Sequence, residues 1–376
     1  MKRISTLLLV FCTCFALAAW PQAQPQAKNT IITFDAPDAG KSYSLGTQAS
    51  SINPAGWITG TYWDSGNAAH GFVRRPDGKI KEFDAPDAGK GSTQGTNAAN
   101  INTNREIMGF YTDSHNVNHG FVRDPNGTIT EFDAPDAGKG PFQGTSAMSI
   151  NTKGAIAGFY TDSHNVGHGF VRFPNRTITE FDPPDAGKGA GQGVQMYWPQ
   201  KDINQDGWIA GSYIDGSNVQ HGFRRTPKGQ IKEWEPPGAG QGPGLIVHVN
   251  IINRQGWIVG TYEDVHQRYH AFARRTDGSF IEYEVKGAGT GTLQGTTGFG
   301  INTARTIIGS FIDDKYVWHG YVRAFPNGTI KQFDVARAGK GNGDGTYPLS
   351  IDPAGGKITG FYLDAGYVSH GFLRLP

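Results

Sequence analysis

Three residue types recur at fixed spacing along the chain and could together perform acid–base chemistry. An aspartate is followed six residues on by a histidine, and four residues beyond that by an arginine. The sets are Asp64, His70 and Arg74; Asp113, His119 and Arg123; Asp162, His168 and Arg172; Asp215, His221 and Arg225; Asp264, His270 and Arg274; Asp313, His319 and Arg323; Asp364, His370 and Arg374. A carboxylate beside an imidazole orients the ring and favours its charged form, as a general base requires. Seven copies of one arrangement argue for a different role, because an active site is normally built once. The sets are therefore read as structural. The aspartate ends one strand and the histidine begins the next, so the two face each other across a short loop with the arginine in reach of the carboxylate.

Chemistry confined to single places is more informative. Lys41, Lys90, Lys139, Lys188 and Lys340 recur in Ala-Gly-Lys segments, whereas Gln241 and Thr290 interrupt the series. Such a ring of ammonium groups would draw an anionic ligand, although Asp38, Asp87, Asp136 and Asp185 precede four of them by three residues and weaken the field. His115, His164 and His266 are extra imidazoles in the loop before the recurring histidine. Three imidazoles suit zinc or copper, but no separate carboxylates accompany them, so no metal and no cofactor are expected. The fourth repeat carries an insertion around Gln195, Met196, Tyr197, Trp198 and Pro199; the fifth has His248, Arg268 and Tyr269; the sixth has Tyr316 and Trp318. Aromatic side chains beside a funnel suit carbohydrate or peptide recognition, because they bury much area at little ordering cost. These residues and the five lysines form the candidate binding set. His248 with Tyr197 is the single pair to test for catalysis, and no catalytic residue is assigned. There is no Gly-x-Ser-x-Gly elbow, phosphate loop or His-Glu-x-x-His segment.

What positions these residues is a repeat of about 50. The recurring histidines stand 49 residues apart, except for 53 after His168 and 51 after His319. Within a repeat the apolar period is two. Residues 57–64 place Ile58, Gly60 and Tyr62 on one face and Trp57, Thr59 and Trp63 on the other, which is the strand signature. Residues 48–52, 57–64, 70–76 and 79–84 are thus four strands, A to D. Asp77-Gly78, Asn126-Gly127 and Asn327-Gly328 between the last two read as hairpin turns whose two central residues have positive φ. Asn53, Asn102, Asn151, Asn204, Asn253 and Asn302, with Asp352 in the seventh repeat, suit the turn after strand A. Glycines such as Gly60 are expected to let a neighbouring sheet approach.

Only the D–A connection is long, from Pro86 to about Thr96. Ten residues reach about 33 Å, and crossing three strand spacings needs only about 14 Å, so each link runs from the outer edge of one sheet to the inner edge of the next. Strand A is small (Ala49-Ser50-Ser51, Ala98-Ala99-Asn100), whereas Phe83, Phe132, Phe181, Trp234, Tyr283 and Phe333 place bulk on strand D. The last repeat stops at Arg374-Leu375-Pro376 without a strand D, and Ile32 to Pro37 (ITFDAP) matches KEFDAP at 81–86. The fold class expected is all-β: a seven-bladed β-propeller of four-stranded antiparallel blades, its ring closed by the N-terminal strand pairing with the last repeat. In that wiring the D–A and B–C loops emerge on one face.

The repeats resemble those of the bacterial extracellular HAF-repeat family. The naming triplet stands verbatim at His270-Ala271-Phe272, with glycine in place of the alanine in the other six repeats, and INPAGWITG at 52–60 matches the family's asparagine–glycine segment. The likeness covers 31–376 and implies an exported, propeller-like protein; it supplies no catalytic residue. A looser likeness to WD-repeat propellers lies in the recurring aspartate and Gly-His histidine.

Composition bounds the rest. The 376 residues include 54 glycines, 21 prolines, 8 tryptophans, 14 tyrosines and 22 phenylalanines, which fits short strands joined by many turns and argues against disorder. Lys2 and Arg3 followed by the uncharged Ile4–Ala19 run read as a signal peptide over 1–23, cleaved between 18 and 27. Residues 31–376 form a single domain, with no membrane span once the signal is removed. Both cysteines, Cys12 and Cys14, lie in the signal, and Phe11 and Thr13 before them argue against a lipid anchor. Removing Lys2 and Arg3 from 34 basic side chains leaves them one short of the 33 acidic ones, which speaks against nucleic acid. The expectation is a secreted, extracellular or periplasmic monomer that binds a glycan or an extracellular protein through its loop face. The alternatives are a polysaccharide lyase or hydrolase on the same scaffold, or a purely structural cell-surface protein.

Overall fold

The computed structural model describes residues 30–195 and 201–376; the signal segment 1–23 lies outside them. The described residues form 28 strands and no helix. The first five are β1 (Ile31–Phe34), β2 (Gly46–Ile52), β3 (Ile58–Trp63), β4 (Ala69–Arg74) and β5 (Ile80–Phe83). Strands β2 to β5 pair antiparallel in chain order, with Ala49 opposite Gly60, Gly60 opposite Phe72 and Gly71 opposite Phe83. Strand β4 then touches the next inner strand in parallel at Ala69 and Gly95, which carries the chain into the following repeat. At the other end, the strand Ser369–Arg374 pairs antiparallel with β1, Ile31 opposite Arg374 and Phe34 opposite Gly371. The same strand meets β2 at Gly46 and Ser369, so the pairing runs round a circle. The fold is a β-propeller.

Local chemistry explains the elements, with two departures from expectation. At Asp77-Gly78 only the glycine has positive φ, +92°. Gly78 N donates to Arg75 O at 2.9 Å and Arg75 N to Lys79 O at 2.8 Å, a type I turn followed by a glycine bulge rather than a two-residue turn. Pro76 at the second position of the turn, with φ fixed near −65°, selects this form. The second departure concerns Gly60. A Cβ there would lie 2.0 Å from Gln48 O and 2.9 Å from the Phe72 ring, so the missing side chain makes room for the β2 bulge of its own repeat, not for the neighbouring sheet.

Packing between repeats uses the bulk on the outer strand. The Phe83 ring sits edge-on to Phe121 of the next repeat at 6.2 Å, and the Arg123 guanidinium covers it at 4.7 Å. The closure copies this joint: Phe34 packs on Phe72 at 6.2 Å beneath Arg74 at 4.8 Å. On the inner side the asparagines form a belt. Asn53 Nδ2 donates to Asn102 O at 3.0 Å, and the step repeats from Asn102 to Asn151, Asn151 to Asn204, Asn204 to Asn253 and Asn253 to Asn302. Each carboxamide also accepts from its own turn, as Asn53 Oδ1 does from Trp57 N at 3.0 Å. At the seventh place Asp352 has no amide to donate.

Candidate functional site

The recurring histidine is held by two carboxylates, not one. His70 Nδ1 lies 3.0 Å from Asp84, Nε2 lies 3.5 Å from Asp64, and the ring stacks on Tyr62 at 4.9 Å. The second carboxylate ends the outer strand of the same repeat: Asp133 for His119, Asp182 for His168, Glu235 for His221, Glu284 for His270, Asp334 for His319 and Asp35 for His370. Sequence reasoning missed this partner, although an acid follows the outer-strand aromatic in every repeat. Hydrogen bonding to Asp84, outweighing burial, raises the His70 pKa above its ordinary value. Burial alone would raise Asp64, but N–H donors from Ala68 and Gly66 hold it below the usual carboxylate range. Burial, with Glu82 and Asp84 close by, pushes the Tyr62 phenol well up. Each set is a closed polar joint between strands. The arginines differ from expectation. Arg74 is buried over Phe34 and donates Nη1 to Arg75 O at 3.3 Å, so it braces the inter-repeat stack instead of pairing with Asp64.

The D–A and B–C loops are hydrogen-bonded to each other and share one face. Thr93 N donates to Asn67 O at 2.8 Å, Phe142 N to Asn116 O at 2.7 Å, Leu293 N to Gln267 O at 2.8 Å and Ser44 N to Tyr367 O at 3.0 Å. Lys41, Lys90, Lys139, Lys188 and Lys340 are exposed on these loops and make no ion pair among the described residues. The face also presents large apolar groups: Phe142 is 78% exposed, Val265 71% and Tyr43 69%, with Leu293 and Tyr316 less so. Phe142 holds φ +65° at a place where Gly191, Gly244 and Gly343 stand in other repeats. A bulky residue there costs roughly 1 kcal/mol or more, which no burial repays. Phe142 and Tyr43 were not among the sequence candidates. An aromatic where other repeats carry glycine or a small polar residue was the available signal. A crevice of about 470 Å³ is lined by His115, His119, Asp133 and Lys139.

The nominated residues are dispersed. Tyr316 is on the loop face with φ +62°. Trp318 is half-buried and stacks on Tyr347 at 4.8 Å, which stacks in turn on Phe361 at 4.6 Å. Arg268 pairs with Glu284 at 3.5 Å. Tyr269 is half-buried, its phenol pushed up to about 12 by burial first and by Glu263 next. These three side chains are engaged in packing and pairing within the fold. His248 sits on the inner strand Val247–Ile252 opposite Thr261, and burial lowers its pKa to about 4. Tyr197 and Trp198 lie outside the described residues. His115 and His164 are exposed beside Asp113 and Asp162 at 3.4 Å, and His266 is exposed as well. No group of three or more His, Cys, Asp or Glu able to hold a metal ion is found among the described residues. Nor, among them, is any helix long and apolar enough to cross a membrane.

No protein-family model and no curated protein sequence matches the chain. Solved structures do resemble it. A prolyl endopeptidase matches with a TM-score of 0.55 at 9% identity, over 91% of this chain and 50% of that one. PorZ, a surface component of the type-IX secretion system of Porphyromonas gingivalis, matches with a TM-score of 0.52 at 13% identity, over 94% and 48%. The Swd1 β-propeller domain of Myceliophteria thermophila aligns over 92% of this chain and all of its own, with a TM-score of 0.49 at 7% identity. The chain spans about half the length of the first two proteins. At such identities the likeness is one of fold.

Proposed function

We propose that this chain is a secreted binding scaffold of the HAF-repeat kind: a propeller of seven four-stranded blades that recognises a glycan or an extracellular protein through its D–A and B–C loop face. Its supporting observation is the concentration of apolar surface there. Of seven exposed large hydrophobic residues among those described, Tyr43, Phe142, Val265, Leu293 and Tyr316 belong to these loops. Exposed apolar groups gathered on one face mark interaction surfaces, and Phe142 keeps a strained backbone to present its ring. The loop lysines favour a partner with acidic groups. The reading of seven blades is supported by the pairings grouped by repeat, with β1 beside the last strand.

The test is a glycan and protein array probed with the mature chain and with a Tyr43→Ala, Phe142→Ala, Leu293→Ala variant. Bound signal falling tenfold or more, with the thermal unfolding midpoint unchanged or raised, is the expected result. Equal binding by the variant rejects the loop face. Mass spectrometry of the exported chain beginning between residues 18 and 27 checks the signal.

A further inference from the structure

The opposite end of the ring holds a second cavity, of about 650 Å³. Its wall draws on all seven repeats, from Asn53 and Asn102 through Ile150, Asn204, Asn253 and Asn302 to Pro353, so it lies on the axis. Lys201 sets the fourth repeat apart from the others. Lys201 follows the fourth-repeat insertion and stands three residues before the belt asparagine, where other repeats have Ser50, Ala99, Met148, Asn250, Phe299 and Leu349. Its backbone is tied to the fifth repeat, Lys201 N to Asn250 O at 3.1 Å and Ile252 N to Lys201 O at 3.2 Å. Its side chain reaches the seventh, where Nζ donates to Ser350 Oγ at 2.9 Å. Lys201 also lines the cavity.

We propose that this axial cavity binds a small organic monocarboxylate, its carboxylate on Lys201 Nζ and its apolar body against the isoleucine wall. Three observations carry this. Lys201 is half-buried at the cavity wall, and an ammonium partly removed from water is costly unless something compensates it. Among the described residues one hydroxyl accepts from it, and the opposing charge that acts on it, Asp352, already takes three backbone N–H donors from Ala354, Gly355 and Lys357. The wall sets the isoleucines Ile101, Ile150, Ile203, Ile251 and Ile301 among the belt asparagines, so it offers apolar contact beside neutral polar groups. At the mouth the exposed Lys153 and Arg254 outnumber the exposed Asp206, which favours entry of an anion. A single half-buried cation in the described wall matches a monoanion; a phosphate dianion would bring a second charge out of water without a partner. Burial lowers the Lys201 pKa to about 8, so the site loses its charge, and its ligand, in mild alkali. Burial pushes the carboxyl of Asp202, the other ionisable group next to it, well above its ordinary range, which disfavours the charge that would compete.

Titration calorimetry with hexanoate, hexanamide and inorganic phosphate on the whole mature chain tests this. One hexanoate should bind per chain, hexanamide at least tenfold more weakly, and phosphate more weakly still. The hexanoate preference should vanish in Lys201→Met and between pH 7 and pH 9.5, and should weaken severalfold in Arg254→Ala. The Tyr43→Ala, Phe142→Ala, Leu293→Ala variant should bind hexanoate normally, which separates this site from the loop face. Equal binding of hexanoate and hexanamide by the unaltered chain, or no hexanoate binding at millimolar concentration, overturns the proposal whether or not Lys201→Met folds.

Discussion

The recurring histidine joints and the axial cavity satisfy their charges in opposite ways. At His70 both ring nitrogens face carboxylates, the ring is stacked, and Asp64 is capped by backbone N–H groups. The imidazole and the aspartate have their partners, while Arg74, Arg123, Arg225, Arg274 and Arg374 lay a guanidinium whose buried Nε has no hydrogen bond among the described residues over an aromatic ring. On the axis, among the described residues, Lys201 has a single hydroxyl acceptor, and both oxygens of the fully buried Asp202 lack a hydrogen bond. Repetition here marks what the ring needs to stand. Departure from it marks where polar groups are left for something else, as buried groups without partners commonly are.

If repeated contacts carry stability, breaking the joint at the closure should have the largest effect. Deleting residues up to Ala36 removes four ladder pairs, the Phe34 ring under Arg74 and the Asp35–His370 pair. The expected loss is roughly 4 kcal/mol or more, from a buried aromatic and several hydrogen bonds, read by chemical denaturation. A synthetic peptide covering 30–37 should restore part of it. An unmoved transition would mean that the ring does not depend on its clasp.

The sequence made the repeated half of this comparison legible and the other half opaque, for physical reasons. Strand periodicity, the small inner strand, the bulky outer strand and the N-terminal match at Phe34 are all written locally. The partners of His70 and Arg74 are not. Asp84 lies 14 residues from its histidine, and Phe34 belongs to another repeat altogether, so only the sheet brings them together. The turn at Asp77-Gly78 was misread because the Asp-Gly pair was weighed without Pro76. On the loop face, Tyr269 and Trp318 looked free because an aromatic in a loop segment shows nothing of the Glu263 or Tyr347 that meets it. Nothing local in the sequence singles out Lys201 and Asp202, since burial on an axis depends on all the repeats at once.

A smaller effect, opposite in sign, is expected at Asp202. Three of the six equivalent places hold serine, Ser51, Ser149 and Ser350. At 202 the matching donor, Ile252 N, is already taken by Lys201 O, so a serine there would replace a carboxyl with two oxygens unpartnered among the described residues by one neutral hydroxyl. Asp202→Ser should therefore stabilise the fold by about 1–2 kcal/mol, the cost of a buried polar group without a partner. The gain should depend on pH. Burial raises the Asp202 pKa well above its ordinary value, so the native protein's full stability is present below the unfolded value near 4 and is lost as pH rises towards the folded one. Denaturation at pH 4 and pH 7 should show the serine variant pulling ahead at the higher pH. A constant gap would place the ionised carboxylate in contact with a cation, and the contrast with the satisfied joints would fail.

The smallest effect should come from titrating one of those joints. The hydrogen bond to Asp35, opposed by burial, raises the His370 pKa, so the folded chain holds this proton more tightly than the unfolded one. The contribution is fully present below the unfolded value of about 6.5 and fades as pH climbs through the folded value. His370→Gln should then lower stability at pH 6 and have a weaker effect at pH 8.5. Because Asp35 follows β1 directly, amide exchange at Thr33 and Phe34, corrected for its intrinsic pH dependence, should speed up over the same interval in the unaltered chain and remain flat in the variant. His221 offers the internal comparison: its partner Glu235 ends an outer strand within one continuous meander, so losing that pair should leave β1 exchange untouched. If both substitutions loosened β1 equally, the joints would act as one network around the ring, and their repetition would reflect cooperation between blades instead of seven separate solutions to one local problem.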